Sequence, residues 1–432
     1  MLDIASIKKL LLNKFAKDSV WVVSSHFLVG ISGLAINTII GLNYHAAGLG
    51  IFNQSLAIYM LAVIIANAGI QTSVQKHIAQ FSDEILIIKQ VFYASLLATV
   101  VTSLLLTIFG YMLVVYYVDN IVDSKILDIL KLMFFAVPLF AVNKTINNFY
   151  VGLRKINIYS SIRVTRWLLI ISGIFIFSIN NNPLGEIGYI FIGVELLLLL
   201  LLLTVSRKYI DIFNASAAWI VRHIKFGLKS IVTELTATLN SAAPVLIIGS
   251  VVGNAAAGYF SFYEVFAKSI LMISSAFQTN FNPIFTKLWF TSDKSKIVLK
   301  INKLLKVQAY LLAPIILFVT ISGYFYTYYF MSADYLQYYY LLILYLLGSS
   351  VVYLYGPYAG MLIMSEHLLL NFFRALVFLV THVIMLFYLV NINGLAGAPI
   401  AFFVATIVNL AMYVLIYSRV LDLKLNRSDY ER

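Results

Sequence analysis

The chain contains no cysteine, which excludes disulfides, thiolate metal sites and cysteine nucleophiles. Charge is scarce as well. Only 11% of the 432 residues are Asp, Glu, Lys or Arg, against about a quarter in a soluble globular domain. Acids are the rarer sign, 18 against 30 Lys and Arg. There is no Walker-type glycine loop, no G-x-S-x-G elbow and no paired acidic motif of the glycosyltransferase kind. An enzyme is therefore not expected, and energy for any work must come from outside the chain. The six histidines show no metal-ligand spacing, so neither metal nor cofactor is expected. Long basic patches interleaved with polar readout residues are also missing, which sets nucleic acid aside despite a net charge of +12.

What the chain does have is apolar length: 62% of it is hydrophobic and its mean hydropathy is +0.93. Runs long enough to cross a bilayer, about 17 to 25 residues each, fall near 19–42, 51–73, 91–117, 127–149, 162–181 and 187–205. Six more fall near 229–252, 258–282, 305–330, 336–363, 372–390 and 397–417. These runs are too evenly apolar for the alternating strands of an outer-membrane barrel, so helices must satisfy the backbone in lipid. The expected fold is an all-α polytopic membrane protein of about 12 transmembrane helices.

Charge asymmetry orients it. The termini and even-numbered connections hold 26 of the 30 Lys and Arg. Lys125 and Lys131 fall on the other side, while Lys144 and Lys268 lie within spans. The positive-inside rule then puts both termini in the cytoplasm, and the basic balance is mostly a topology signal. Residues 1–18 are basic and amphipathic without a cleavage site, as an interfacial segment would be. Outer connections such as 119–125, 181–186 and 391–397 are short and leave no room for an outer catalytic domain. The longer stretch RKYIDIFNASAAWIVRHIKF (207–226) alternates basic with apolar residues, as an interfacial amphipathic helix and hinge would.

An internal repeat divides the chain. Tyr150-Val-Gly152 followed by Arg166 matches Tyr358-Ala-Gly360 followed by Arg374, each 208 residues on. Two looser anchors agree: AGLGIF (47–52) with Gln71-Thr72 against AAGYF (256–260) with Gln278-Thr279, and GEIG (185–188) against GLAG (394–397). An even number of helices per unit returns the chain to the same side, so the halves are parallel repeats. The expected organisation is a segment at 1–18, an N-lobe at 19–206, a linker at 207–228, a C-lobe at 229–417 and a tail at 418–432.

Charges at bilayer depth cost roughly 2.5 to 3.5 kcal/mol on insertion scales, so each needs a partner, water or a task. Lys268 lies near the middle of its span with Glu264 one turn before it; the two either neutralise each other on a buried face or face a lumen together. Lys144 shares a helix face with Asn147 and Asn148, a stripe suited to water or substrate unless Lys144 snorkels to the nearby surface. Glu195 stands among leucines, where desolvation favours the neutral form, and Glu234 sits with Asn240 on the seventh run. Glu264, Glu234 and Glu195 are the ion-coupling candidates. His26 and His382 are either titrating switches or hydrogen-bonded packing residues. Pro138, Pro244, Pro314, Pro357 and Pro399 fall inside spans and permit bending.

The opening KKLLLNKFAKDSVWVVSSHFLVGISGLAINTIIGLNYHAAGLGIFNQSLAIYMLAVIIANAGIQTSVQKHIAQ (8–80), with QTNFNPIFTKLW (278–289) and YGPYAGMLIMSEH (355–367), resembles the O-antigen flippases, the polysaccharide-export branch of the multidrug/oligosaccharidyl-lipid/polysaccharide (MOP) exporters. The resemblance implies a MATE-like fold of two parallel six-helix lobes in the bacterial inner membrane. It implies translocation of undecaprenyl-pyrophosphate-linked oligosaccharide from the cytoplasmic to the periplasmic leaflet by alternating access. Partners implied are that lipid-linked substrate, membrane lipids, a polysaccharide polymerase and a chain-length regulator, with H+ or Na+ as coupling ions. Related flippases line the lumen with arginines, whereas the first span here offers His26 and Asn37. Lys268, Lys144 and Arg374 are the replacement candidates for meeting the headgroup. The alternative is a MATE-type multidrug/cation antiporter, which would want acids deep in the N-lobe; spans one to five carry Asp18 and Asp128 only near their ends, with Lys144 as the deeper charge.

Overall fold

The structure, a computed structural model, describes residues 14–81, 83–117, 123–211, 216–290, 294–356, 361–362 and 367–420. Its first helices are α1 (Lys14–Asn67), α2 (Ile70–Gln80), α3 (Ile85–Tyr117), α4 (Ser124–Gly152), α5 (Ile156–Ile179) and α6 (Gly188–Ser206). They are followed by α7 (Ala217–Val251), α8 (Asn254–Phe290), α9 (Lys294–Phe330), the single turn α10 (Ala333–Leu336), α11 (Tyr340–Tyr355), α12 (Leu368–Asn393) and α13 (Gly397–Val420). Among the described residues there is no strand, and eight stretches are long and apolar enough to cross a membrane. Two of these, of 44 and 50 residues, each have the length of two crossings at about 20 residues per crossing.

The first of the two turns within α1. His45 adopts φ 60° and ψ 179°, a conformation that a side chain rarely takes, and the chain bends there between two apolar arms. α1 ends where Ala68 and Gly69 both have positive φ, so the second arm stops short of the expected 73 and α2 starts as a separate helix. The Asp123 carboxylate caps α4 by accepting from the Lys125 backbone N–H at 2.9 Å. Pro138 sits inside α4, Pro244 inside α7 and Pro314 inside α9.

Several boundaries depart from expectation, among them the starts of α3 at Ile85 rather than 91 and of α9 at Lys294 rather than 305. α5 begins at Ile156 rather than near 162, so Arg163 and Arg166, counted with the connections, lie about two turns or more inside the helix; Arg374, also counted with the connections, lies within α12. The stretch expected as a separate interfacial helix is, from Ala217 onward, the first part of α7. Gly227 does not break it, because the glycine serves close packing: a methyl there would overlap the carbonyl of Ala68, and one on Gly69 that of Gly227. Residues 1–13, 212–215, 357–360 and 421–432 lie outside the described residues, and with them Pro357, the second Tyr-Ala-Gly anchor and most of the expected terminal segments.

The chain forms two compact units, one up to Ser261 and one from Phe262. In the first, Phe92, Phe149, Tyr150, Ile146 and Leu202 pack as a core with Trp219 against its edge. In the second, Phe285, Leu304, Tyr355, Leu362 and Tyr413 do the same. Outward faces are apolar: Leu105, Phe109, Leu200, Tyr310 and Phe318 are all more than half exposed, as lipid-facing side chains are.

Within the first unit, the second arm of α1 meets the start of α8 at backbone distance. A methyl on Gly50 would overlap the Asn254 carbonyl, and one on Gly258 the Ala46 carbonyl. Polar side chains lock the crossing: Gln54 donates to Asn254 Oδ1 at 2.8 Å, and Asn254 donates to Asp123 Oδ2 at 2.6 Å. Gly50→Ala is expected to cost about 1–3 kcal/mol by overpacking. Gly33→Ala, with nothing within 4 Å of the new methyl, is expected to gain about 0.5–1 kcal/mol from helix propensity. Thermal midpoints of the purified proteins in detergent, shifting in opposite directions, check both.

Candidate functional site

Among the described residues three glutamates lie within the α-helices, and each holds a cation. Where α2, α4 and α7 meet, Lys144 Nζ pairs with Glu234 Oε1 and Gln71 Nε2 donates to Glu234 Oε2. Lys144 and Glu234 remain partly exposed, at 22% and 30%, so the pair is not sealed within the protein. Asn148 donates back to the Lys144 carbonyl at 2.9 Å, and Asn147 Oδ1 is buried without a hydrogen-bond partner. Lys144, Asn147 and Asn148 are all partly buried on α4. Lys144 does not snorkel outward: a carboxylate on α7 offers a nearer counter-charge than the surface does.

One helix face round, α4 builds a second cluster. Arg166 on α5 reaches Glu195 on α6 at 2.5 Å, with side chains 8% and 0% exposed. Asn143 on α4 donates to Glu195 Oε2 at 2.9 Å and to its backbone carbonyl at 2.8 Å. The guanidinium lies over the Phe140 ring, 3.7 Å from its centroid, while Tyr59 packs at 6.1 Å on Phe140 and 5.5 Å on Phe191. Glu195 is thus not a lone acid among leucines. Its leucine neighbours in sequence point elsewhere, and its partners come from two other helices.

The third pair is local. Glu264 and Lys268 bond at 2.9 Å across one turn of α8, with Glu264 11% and Lys268 36% exposed, and Tyr345 on α11 donates to Glu264 Oε1 at 3.1 Å. His382 is buried and stacked 5.9 Å from Phe378, a packing position.

Arg163 and Arg374 complete the set, and neither has a carboxylate partner among the described residues. Arg163 Nη1 donates to His26 Nε2 at 2.9 Å, a bond that needs the imidazole's lone pair and so a neutral histidine. Arg374 donates to Asn409 Oδ1 at 2.7 Å and to Asn371 Oδ1 at 3.1 Å, and lies 4.5 Å from the Tyr413 ring centroid. Each sits about 10 Å along its helix from the first residue, at about 1.5 Å per residue. Asn37 accepts from Asn53 at 2.9 Å across the two arms of α1. Reading the sequence missed Arg166, Gln71 and Asn143. The signal for Arg166 was present in the repeat match with Arg374, but nothing local could say that one has a glutamate facing it and the other an asparagine.

A sequence profile described as Polysaccharide biosynthesis protein matches residues 15–289. None of the curated proteins matches the chain in sequence. Among solved structures, an inward-facing multidrug resistance MATE family transporter of the MOP superfamily is similar, at TM-score 0.70 and 14% identity over 91% of this chain and 95% of that one. The lipid II flippase MurJ in an inward closed conformation gives TM-score 0.73 and 15% identity over 92% of this chain and 87% of that one. A MOP superfamily transporter from Pyrococcus furiosus, whose binding pocket is described as of reversed polarity, gives 0.57 and 18% over 94% and 96%. The fold is that of the MOP transporters.

Removing one member of a buried ion pair strands the other. Arg166→Ala is expected to destabilise the protein by about 3–5 kcal/mol, whereas Arg166→Met combined with Glu195→Leu recovers most of that loss. Unfolding midpoints and membrane-inserted yield of the two variants provide the measurement.

Proposed function

Because the chain belongs to the polysaccharide biosynthesis protein family, we propose that it is a flippase for undecaprenyl-pyrophosphate-linked oligosaccharide, moving it from the cytoplasmic to the periplasmic leaflet of the inner membrane by alternating access. The observation that carries this reading is the charge balance inside the helices. Glu195, Glu234 and Glu264 are each matched by a cation, which leaves the guanidinium groups of Arg163 and Arg374 in excess. A charge held by amide, imidazole and aromatic partners without a carboxylate is short of compensation in a low-dielectric setting, and a phosphate supplies it. Guanidinium groups suit that task, because their planar fork meets two phosphate oxygens at once.

Lys144 and Lys268 take a second place in this reading. Each already has an acid, so an arriving pyrophosphate must compete with Glu234 or Glu264 for it. The freed carboxylate could then take up H+ or Na+, which gives Glu234 and Glu264 a route into coupling; Glu195, wholly buried with Arg166, has the least access. Asn147, Asn148, Asn37 and His26 supply neutral hydrogen-bonding groups for sugar hydroxyls. Outward transfer of an anion is also favoured by an inside-negative potential at about 2.3 kcal/mol per charge per 100 mV.

The cation-antiporter alternative needs an available acid, and every one of the three described interior carboxylates is occupied by a lysine or arginine. Arg374→Ala and Arg163→Ala are expected to lower surface glycan at least tenfold at unchanged protein abundance, with Arg374→Lys intermediate. Lys268→Ala is expected to lower it less. Glycan staining alongside immunoblots measures this; unchanged glycan together with acquired sensitivity to cationic dyes would favour the antiporter.

A further inference from the structure

Away from these pairs, where α2 ends and α7 begins, the first unit carries a cavity of about 420 Å3 lined by Lys76 and His77 of α2 and by Arg222, Lys225, Phe226 and Lys229 of α7. Positions 222, 225 and 229 recur at helical spacing, so their side chains share one face. No acid occurs in the lining, nor anywhere in α2 or in the first part of α7 before Glu234, which is already held by Lys144 and Gln71. Four cations therefore surround one opening.

Their placement is fixed from behind. Lys76 lies 4.4 Å from the Phe226 ring centroid and Arg222 lies 4.8 Å from that of Trp219. His77 is buried, bonded at 2.8 Å to the Ser73 carbonyl and set edge-on to Trp219 and Phe226. Burial foremost, with the charges of Arg222 and Lys76 adding to it against the opposing Ser73 bond, lowers the His77 pKa from its ordinary value. The pocket is thus basic through its lysines and arginine, with the histidine as a neutral wall. Beside it Val221 and Leu228 are about half exposed, an apolar flank on which acyl chains can lie.

We propose that this pocket binds the phosphate headgroup of a lipid at the membrane surface. Clustered cations next to lipid-facing apolar side chains match such a headgroup better than a free anion, because tail and head are both accommodated. The inference concerns a site separate from Arg163 and Arg374, and it stands whether or not the chain flips glycan.

The test uses the full-length protein in nanodiscs of phosphatidylcholine, with cardiolipin or undecaprenyl pyrophosphate added and retained lipid counted by native mass spectrometry. Wild type is expected to retain one of the two over phosphatidylcholine, cardiolipin marking a bilayer source and undecaprenyl pyrophosphate a cargo source. Arg222→Gln combined with Lys225→Gln is expected to weaken retention about 25-fold, at about fivefold per cation. Lys303→Gln with Lys306→Gln on α9 should leave it unchanged, and 0.5 M NaCl should weaken it in wild type without any mutation. Retention of neither lipid, or equal retention by the α7 variant at an unchanged unfolding midpoint, overturns the proposal. Loss of glycan export in Arg374→Ala with lipid retention intact separates this site from the proposed transport path.

Discussion

The cost of a charge in hydrocarbon governs this molecule. Lipid offers no hydrogen bonds and little dielectric screening, so every ionised group between the helices either finds an opposite charge or depends on water and ligand. Three times the chain solves this internally, through Lys144 with Glu234, Arg166 with Glu195 and Lys268 with Glu264. The solutions differ in depth. Arg166 and Glu195 are sealed by Asn143, Phe140 and Tyr59 and bind α4, α5 and α6 together, whereas Lys144 and Glu234 stay partly open to exchange. The same constraint separates a sealed pair from a partly exposed one.

Two arginines paired by the expected sequence repeat make the point in another way. Arg166 and Arg374 stand 208 residues apart, yet the first meets a carboxylate and the second meets Asn409 and Asn371. Two arginines matched by sequence spacing alone therefore carry different electrostatics in the two units. Where the partner is an amide, the guanidinium keeps its full charge available for a ligand.

Much of this was legible in the sequence, and the boundary of legibility has a physical cause. Helical class, the positions of the apolar runs and the i, i+4 pair of Glu264 and Lys268 are local properties, and local patterns carry them. The stripe of Lys144, Asn147 and Asn148 was likewise visible from its spacing. Partners from distant segments were not: Lys144 and Gln71 converge on Glu234 from helices far apart in sequence, and Asn143 and Arg166 reach Glu195 in the same way. The continuity of α7 was also hidden, because a basic, amphipathic opening followed by an apolar run reads as two elements. Only the opposed backbone of Gly69 explains why Gly227 belongs inside one helix.

That continuity matters for motion. α7 has backbone contact with Gly69 at Gly227 near one end, holds Glu234 along its length, and at Gly249 packs against Gln54 near the other end. A helix fastened so tightly at both ends cannot bend freely between them, apart from the slack Pro244 allows, and so behaves as a rod. Whatever tilts its basic end must also strain the ion pair midway and the Gln54 side chain at its far tip, so the three contacts are levered together.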